Sequence, residues 1–392
     1  MRIKTAIAGH LPASGRAGLV VLLSISGILI YKPPPYDLLL AALMLWWFLK
    51  KGFVQLRVNR LASISLTLYV CLYGVSVMVG EVYQTALWYF GLTVFCAAMW
   101  IFFTSLFQTY GASGYHAVML GHVITSVIGV AFSFVVFLSN MPGRDALLYN
   151  GRPKGMYVDA NVFGPSLVLA CVYALGETLQ SRGRRRVRLM WTLASATCAA
   201  GILVTFSRGA WINLAISSTT FAVLLISRRS RRHRFGLPAL LVAEFAILCL
   251  VGLYILNNNE QISETVSSRL GLQKYDQDRF ASQRNALEVA MANPFLGMGP
   301  GQYIPAFEIA PHNLYLHIMV ENGFPAITAF GLFLLSSLVA GLHRFRRASL
   351  EQDRIRCAVV SAVLLGTLIN SFVIDSLHWR HLWLLLAAVW VP

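Results

Sequence analysis

Residues 86–107 read ALWYFGLTVFCAAMWIFFTSLF and contain no charged side chain. A helix needs about 20 mostly apolar residues to cross the hydrocarbon layer of a membrane, so this stretch is long enough to span it. The rest of the chain has the same character, because 57% of its 392 residues are hydrophobic and only 12% are charged. A soluble domain has about a quarter of its residues charged. The composition therefore excludes a water-soluble globular protein.

Further apolar stretches predict an all-α, polytopic integral membrane protein with about 12 transmembrane helices. They are 17–31, 36–49, 62–80, 117–138, 162–179, 189–206, 210–227, 237–256, 313–340, 355–374 and 381–392. We interpret residues 17–31 as a retained first span rather than a signal peptide, because no small-residue cleavage site follows them. We expect residues 1–392 to form a single polytopic membrane domain.

The positive charges are unevenly distributed between the predicted spans. If the N-terminus is cytoplasmic, 22 of the 32 lysines and arginines lie in cytoplasmic segments, as the positive-inside rule requires. Both termini are then predicted to be cytoplasmic. The basic runs GRRRVR at 183–188 and RRSRRHR at 228–234 are short turns between spans, which is typical of topology signals. The net charge of +16 therefore gives no reason to predict a nucleic-acid partner.

Two segments on the predicted outer side are long enough to carry a functional site: an outer loop at 139–161 and a larger segment at 257–312. The larger segment contains a helix-like stretch, SQRNALEVAMA, ended by Asn293 and Pro294. We expect one or two short helices lying against the membrane here. We interpret the glycines that follow, Gly297, Gly299 and Gly301, as a flexible turn.

Several familiar catalytic motifs are missing from the sequence. It has no GxxxxGK[ST] phosphate loop, no HExxH and no GxSxG. Nucleotide-driven chemistry is therefore not indicated. The six cysteines show neither a CxxC pair nor zinc-site spacing, so we expect neither a disulfide framework nor a metal site.

Arg208, in the stretch TFSRGAWI, separates two apolar runs at the predicted outer membrane edge. A guanidinium group there either snorkels to the interface or binds an anion, because its planar fork fits a carboxylate or a phosphate. Arg284 lies on the SQRNALEVAMA helix. Taken alone, it is expected to be a solvated helix residue or the i,i+4 partner of Glu288.

His312 stands at the start of the predicted span 313–340, beside the positive end of the helix dipole. A histidine there tends to stay neutral and can accept a proton. The alternative is an interfacial histidine that is hydrogen-bonded to headgroups or water, and the sequence leaves both open. His317 and Glu321 interrupt an otherwise apolar run, so we expect them to face a cavity or a partner.

Asp159 and Asn161 open the span 162–179 and are first of all helix N-cap candidates. The alternative is that Asp159 orients an arginine or His312. The last polar cluster, DSLHWRH at 375–381, is interpreted as an interfacial turn.

Four of these stretches, in this order, resemble the O-antigen ligase and polymerase superfamily of bacterial envelope glycosyltransferases. They are VDANVFGP (158–165), TFSRGAW (205–211), RNALEVAMANPFLGMGPGQY (284–303) and HNLYLHIMVENGFPA (312–326). The resemblance covers about residues 155–330. Its most specific element is the pair His312 and Asn313 followed by Gly323.

The resemblance implies a helical membrane fold of the lipid-sugar glycosyltransferase type, GT-C-like, in the bacterial inner membrane. It implies an undecaprenyl-diphosphate-linked glycan as donor and an active site at the periplasmic face, with 257–312 as the main periplasmic segment. Arg208 and Arg284 match the family's diphosphate-contacting arginines, and His312 matches its essential histidine. Asp159, Asn161, Asn313 and Glu321 are expected to support the site. No metal or other cofactor is implied, and transfer is expected to invert the anomeric carbon.

The acceptor is left open between two members of the same superfamily. A ligase would use lipid A core in lipopolysaccharide biosynthesis, and an exopolysaccharide or O-antigen polymerase would use another lipid-linked glycan. Ala326 stands where ligases usually have Gly, Thr or Tyr, and the outer segment is short for the family. A multi-span transporter or lipid-linked glycan flippase is the alternative from a different class, and Glu244 inside the span 237–256 would suit proton coupling.

Overall fold

The computed structural model describes residues 11–51, 56–139, 141–181, 183–228 and 274–391. The predicted span 237–256 with Glu244, and the first part of the larger outer segment, 257–273, lie outside the described residues. So does most of the basic run at 228–234.

Helices make up most of the described chain, as the sequence predicts. They are α1 Ala13–Ser24, α2 Pro35–Lys51, α3 Arg60–Ser76, α4 Tyr83–Leu138, α5 Ala160–Gln180, α6 Arg185–Val204, α7 Arg208–Arg228, α8 Lys274–Ala292, α9 Tyr303–Phe307, α10 Leu314–Arg347, α11 Glu351–Asn370 and α12 Arg380–Ala388. Two short strands, β1 Leu148–Tyr149 and β2 Arg152–Pro153, pair antiparallel in the outer loop. The all-α prediction is confirmed apart from this hairpin.

Six helices of the described residues are long and apolar enough to cross a membrane: α3, α4, α5, α6, α7 and α10. Helix α4 covers 56 residues and contains both predicted spans 86–107 and 117–138. Gly111, at φ 54° and ψ −138°, separates its two halves with a kink, because only glycine adopts that conformation without strain. The chain is thus a multi-pass membrane protein, whereas the count of about 12 spans and the GT-C-like architecture stay predictions.

Helix α5 lies at the centre of the bundle, and most of its side chains are buried. Helices α6, α7 and α11 pack around it. Small residues permit the closest approaches: a Cβ atom on Gly201 of α6 would lie 2.3 Å from Val130 Cγ2 and 2.9 Å from Leu167 Cδ1. Close backbone approach at small residues is the usual way in which membrane helices associate.

The order of the helices places two kinds of segment at opposite ends of the bundle. The connections 139–159 and 205–207, the start of α10 and the end of α11 share one end, because successive spans alternate in direction. The basic segments 183–188 and 344–356 belong to the other end. The polar loops are therefore separated from the positive charges that set the predicted topology.

Replacing Gly201 by alanine tests this packing. Gly201→Ala is expected to lower stability by about 1–3 kcal/mol, because the added methyl group overlaps the stiff side chain of Val130. Gly331→Ala, in α10, is the matched control, since its Cβ would meet no atom within 4 Å. Thermal unfolding of the detergent-purified variants measures the difference. Equal midpoints for the two variants would contradict the packing described here.

Candidate functional site

A cavity of about 310 Å³ lies at the end of the bundle that holds the polar loops. The starts of α5 and α7, the end of α11 and one face of α8 form its walls. Its polar lining consists of Arg152, Arg208, Arg279, Asn161, Ser207, Gln283 and Asn370. Its apolar lining includes Phe206, Ile212, Phe280, Val373 and Ile374. Three guanidinium groups and two carboxamides of asparagine thus face one space that is otherwise apolar.

The turn between α6 and α7 sets the position of Arg208. Phe206 in this turn has φ 49°, a left-handed conformation that costs a residue with a large side chain about 1–3 kcal/mol. Its carbonyl oxygen accepts a hydrogen bond from Arg152 Nη1 at 3.3 Å. The same nitrogen donates to Asn161 Oδ1 at 3.2 Å, and Arg152 is only 3% exposed. The outer hairpin, the start of α5 and the strained turn are therefore tied together at one arginine.

Asn370, the last residue of α11, is a buried carboxamide that faces the cavity. Within the described part of the chain, neither its oxygen nor its nitrogen has a hydrogen-bond partner. A Cβ atom on Gly209 would lie 2.6 Å from Asn370 Oδ1, so glycine at 209 leaves room for this amide. Leaving a buried polar group unpaired costs about 1–3 kcal/mol. Such a group at a cavity wall indicates a place where a polar ligand binds.

Asp159 caps helix α5, as the sequence predicts. Its Oδ1 accepts a hydrogen bond from the Asn161 amide at 2.7 Å. Burial raises the pKa of Asp159, although the bond from Asn161 and the nearby charges of Arg152 and Arg279 favour the ionised form. The carboxylate of Asp159 therefore interacts electrostatically with Arg152 and Arg279 of the cavity.

His312 lies at the entrance to α10 and is half-buried. Its φ of 48° is left-handed, so it is a second non-glycine residue of the site with a strained backbone. Asn313 Oδ1 caps the helix by accepting from the amides of Tyr315 at 2.9 Å and Leu316 at 3.1 Å. Burial, followed by the charge of Arg279, lowers the pKa of His312 to about 4. The imidazole is therefore neutral at pH 7.

His317, one turn further along α10, lies between two carboxylates. Its Nε2 is 2.9 Å from Glu321 Oε2, and its Nδ1 is 2.7 Å from Asp375 Oδ2. Burial opposes ionisation of Asp375, but His317 outweighs it and lowers the pKa of this carboxyl to about 2. Glu321 also accepts from the amides of Gly301 at 2.6 Å and Tyr303 at 3.2 Å. This cluster joins α10 to Gly301 and Tyr303, which precede it in the chain, and to Asp375, which follows α11.

Residues 375–379 form a turn between α11 and α12, as expected, but polar side chains of the stretch 375–381 have partners within the protein. Asp375 bonds His317, and Arg380 forms an ion pair with Asp37 of α2. His381 is only 7% exposed. This arrangement was not predictable from the sequence, because the partner of Arg380 lies 343 positions away along the chain.

The glycines at 297, 299 and 301 form an ordered contact rather than the expected flexible turn. The amides of Met298 and Gly299 donate to the carbonyl oxygens of Val320 and Glu321, each at 3.0 Å. A Cβ atom on Gly297 would lie 2.4 Å from the carbonyl carbon of Glu321. The turn thus packs backbone to backbone against α10.

The structure brings only part of the predicted site together at the cavity. Arg208 and Asn161 line it, while Arg279 is the group whose charge reaches both Asp159 and His312. Arg284 is exposed and is not among the lining residues.

Sequence reasoning missed Arg152, Arg279 and Asn370. Arg279 had a signal: it precedes the small residues Ser282, Ala286 and Ala290 at helical spacing, which mark the packed face of α8. Arg152 and Asn370 had none, because their partners and their burial are set by tertiary contacts.

The described ranges contain neither a cluster of side chains suited to a metal nor a disulfide. No group of three or more His, Cys, Asp or Glu side chains there is placed to hold a metal ion, and none of Cys71, Cys96, Cys171, Cys198 and Cys357 forms a disulfide. Cys249 lies outside the described residues.

The fold and the cavity define a multi-pass membrane protein with a cationic, partly apolar site at one end of its helix bundle. Residues 193–331 match the family model described as O-antigen ligase. The matched segment runs from α6 into α10 and includes Arg208, Arg284 and His312. The predicted resemblance to the O-antigen ligase and polymerase superfamily is therefore confirmed. No curated protein matches the chain.

The match relates residues 193–331 to a family of ligase-type and polymerase-type proteins. Members of this family are glycosyltransferase-like enzymes that act on lipid-linked glycans within a membrane.

The substitution Asn370→Leu tests whether the unpaired amide of Asn370 serves ligand binding rather than protein stability. Asn370→Leu is expected to raise the thermal stability of the ligand-free protein by about 1 kcal/mol or more, because it removes a buried group without a protein partner. Asn161→Leu is the control and should lower stability, since it deletes one of the two acceptors of the buried Arg152 Nη1. The unfolding midpoints of the purified variants measure both effects. A clear loss of stability in Asn370→Leu would show that the amide has a structural role.

Proposed function

We propose that this protein is an O-antigen ligase-like glycosyltransferase of the bacterial inner membrane. It transfers a glycan from undecaprenyl diphosphate to an acceptor hydroxyl at the periplasmic face, inverts the anomeric carbon and needs no metal. Its termini are both cytoplasmic. The observation that carries the proposal is the cavity, which combines three arginines with exposed apolar side chains at Ile212, Phe280 and Val373. A lipid diphosphate has this same division between an anionic head and an apolar tail.

The arginines act on the leaving group. Guanidinium groups form charge-assisted, bidentate hydrogen bonds with phosphate, and these strengthen as negative charge develops on the departing diphosphate oxygen. Arg208, Arg279 and Arg152 line the cavity and supply this charge. Because the bond from the sugar to the diphosphate is already activated, the transfer requires no nucleotide and no other cofactor.

His312 takes the proton of the acceptor hydroxyl. The hydroxyl oxygen attacks the anomeric carbon, its proton passes to the neutral imidazole, and the bond from that carbon to the diphosphate oxygen breaks with its electron pair. Burial and, after it, the charge of Arg279 depress the pKa of His312. A bound diphosphate neutralises that charge, so the pKa of the imidazole rises and the base becomes stronger when the donor is present.

The remaining polar residues have supporting roles in this scheme. Asp159 and Asn161 hold the start of α5 and the guanidinium group of Arg152. Asn313 and Glu321 fix the start of α10 and thereby His312. The Asn370 amide offers one donor group and one acceptor group, which matches a sugar hydroxyl better than a phosphate oxygen, because the phosphate only accepts.

The acceptor distinguishes a ligase from a polymerase of the same family, since the chemistry at the donor is identical. The decisive experiment offers purified protein an undecaprenyl-diphosphate oligosaccharide together with either lipid A core or a second lipid-linked repeat. Transfer to lipid A core would identify a ligase, and transfer to the repeat would identify a polymerase. Donor binding without transfer to either acceptor would favour the transporter or flippase.

In this assay, His312→Ala is expected to reduce turnover by about 10²–10⁴-fold, because it removes the base. His343→Ala, an exposed histidine near the other end of α10, is the matched control and should be unchanged. Only the neutral form of His312 accepts a proton, so kcat/KM of the wild type should persist at pH 5–6 and fall as the pH approaches 4. Near-normal turnover of His312→Ala would refute the assignment of the base.

Two arginines of α8 give a second test. Arg279→Ala is expected to reduce turnover on the order of 10²-fold and to weaken donor binding, because it removes a charge from the cavity. Arg284→Ala examines the diphosphate contact that the sequence resemblance implies for this residue. An equal loss of turnover and donor binding in Arg284→Ala would support that contact. Unchanged donor binding in this variant would indicate that Arg279, and not Arg284, contacts the diphosphate. Arg347→Ala, exposed at the opposite end of the bundle, controls for loss of one positive charge.

A further inference from the structure

Helix α8 presents a row of exposed apolar side chains that begins at the cavity and continues beyond it. Phe280, Leu287 and Met291 lie on one side of the helix, because their spacings of seven and four residues are close to whole helical turns. Phe295, just after the helix, extends the row. All four side chains are between 47% and 74% exposed. We call these residues the apolar edge of α8.

A different side of α8 packs against the protein and fixes its orientation. Ser282, Ala286 and Ala290 are buried, and the two alanines form a small core with Tyr303 and Val320. Ser282 Oγ donates to the carbonyl oxygen of Ile309 at 2.7 Å. The apolar edge therefore faces outward because of the way α8 is packed.

A third side of the helix is polar and exposed, with Asp278, Asn285 and Glu288. In cross-section α8 thus has a packed side, an apolar exposed side and a polar exposed side. In water, the exposed apolar side would be unfavourable. In lipid, the exposed polar side would be unfavourable. This division is typical of a helix that lies in the plane of a membrane interface.

Arg284 is four residues after Phe280 and three before Leu287, so it lies within the apolar edge. An arginine among apolar residues at an interface buries its methylene groups in hydrocarbon and extends its guanidinium group to the lipid phosphates. Charge complementarity therefore favours lipid over a second protein surface as the partner of this edge.

The apolar edge also continues a surface that the spanning helices expose. Phe280 lines the mouth of the cavity together with Ile212 of α7, and both side chains are exposed. Helix α7 is one of the candidate membrane spans, so an exposed apolar residue on it faces lipid.

We propose that the apolar edge of α8 is inserted into the outer leaflet of the membrane, with Arg284 among the lipid phosphates. The partner is the phospholipid bilayer itself. Insertion places the mouth of the arginine-lined cavity at the depth of the lipid headgroups. The functional consequence, which rests on the proposed function, is that a lipid-linked donor reaches Arg279 without leaving the membrane.

The test uses single cysteines labelled with the fluorophore NBD, in a background whose six native cysteines are replaced and whose unfolding midpoint matches the wild type. Leu287→Cys and Met291→Cys report on the apolar edge, and Asn285→Cys and Glu288→Cys are matched controls on the same helix. The protein is reconstituted in vesicles of phosphatidylethanolamine and phosphatidylglycerol. Quenching by lipids with a nitroxide on the acyl chain is compared with quenching by aqueous iodide.

Labels at 287 and 291 are expected to be quenched by the lipid nitroxide and to be severalfold less sensitive to iodide than labels at 285 and 288. Equal iodide quenching at all four positions would overturn the proposal. A photo-crosslinking residue at position 291 in the protein with native cysteines gives an independent result. Cross-links to phospholipid would support insertion, and cross-links to a second copy of the chain would overturn it. Neither readout requires glycan transfer, so both are independent of the proposed function.

Discussion

The contact between the glycine turn at 297–301 and helix α10 holds the candidate site together. Here two backbones touch: Gly323 has φ 82°, and a Cβ atom on it would lie 2.2 Å from the carbonyl oxygen of Phe295. Glu321 stabilises the contact, because its carboxylate accepts hydrogen bonds from the amides of Gly301, in the turn, and Tyr303, just after it. Because the turn follows directly after α8, this contact fixes where α8 lies. The position of Arg279 relative to His312 depends on it.

The electrostatics of the site follow from that placement. Three arginines line a cavity whose other walls are largely apolar, and partial burial strengthens their field. Burial and, after it, the charge of Arg279 suppress protonation of His312, while the charges of Arg152 and Arg279 favour ionisation of Asp159. A histidine that is neutral beside a cationic cavity is suited to proton removal next to an anionic leaving group. The strained backbones at Phe206 and His312 show that surrounding contacts hold both residues in place.

Local sequence signals were reliable where the physical cause was local. The apolar runs predicted the described spanning helices, although the two runs at 86–107 and 117–138 form one kinked helix, α4. Asp159 was recognised as a cap because its oxygen bonds an amide two residues away. His317 and Glu321 were expected to face a cavity or a partner, and the two side chains form an ion pair with each other. The turn with Arg208 was placed correctly between two helices for the same reason.

The sequence by itself determined that the chain is a helical membrane protein, where α5 begins, and which family it resembles, because apolar length, capping residues and short motifs act over a few positions. Only the tertiary structure decided which charges share a space. It placed Arg152 and Arg279 at the cavity, turned Arg284 outward, left the Asn370 amide unpaired and joined Asp375 to His317. These contacts join residues far apart in the chain, and their geometry is fixed by close backbone packing at glycines.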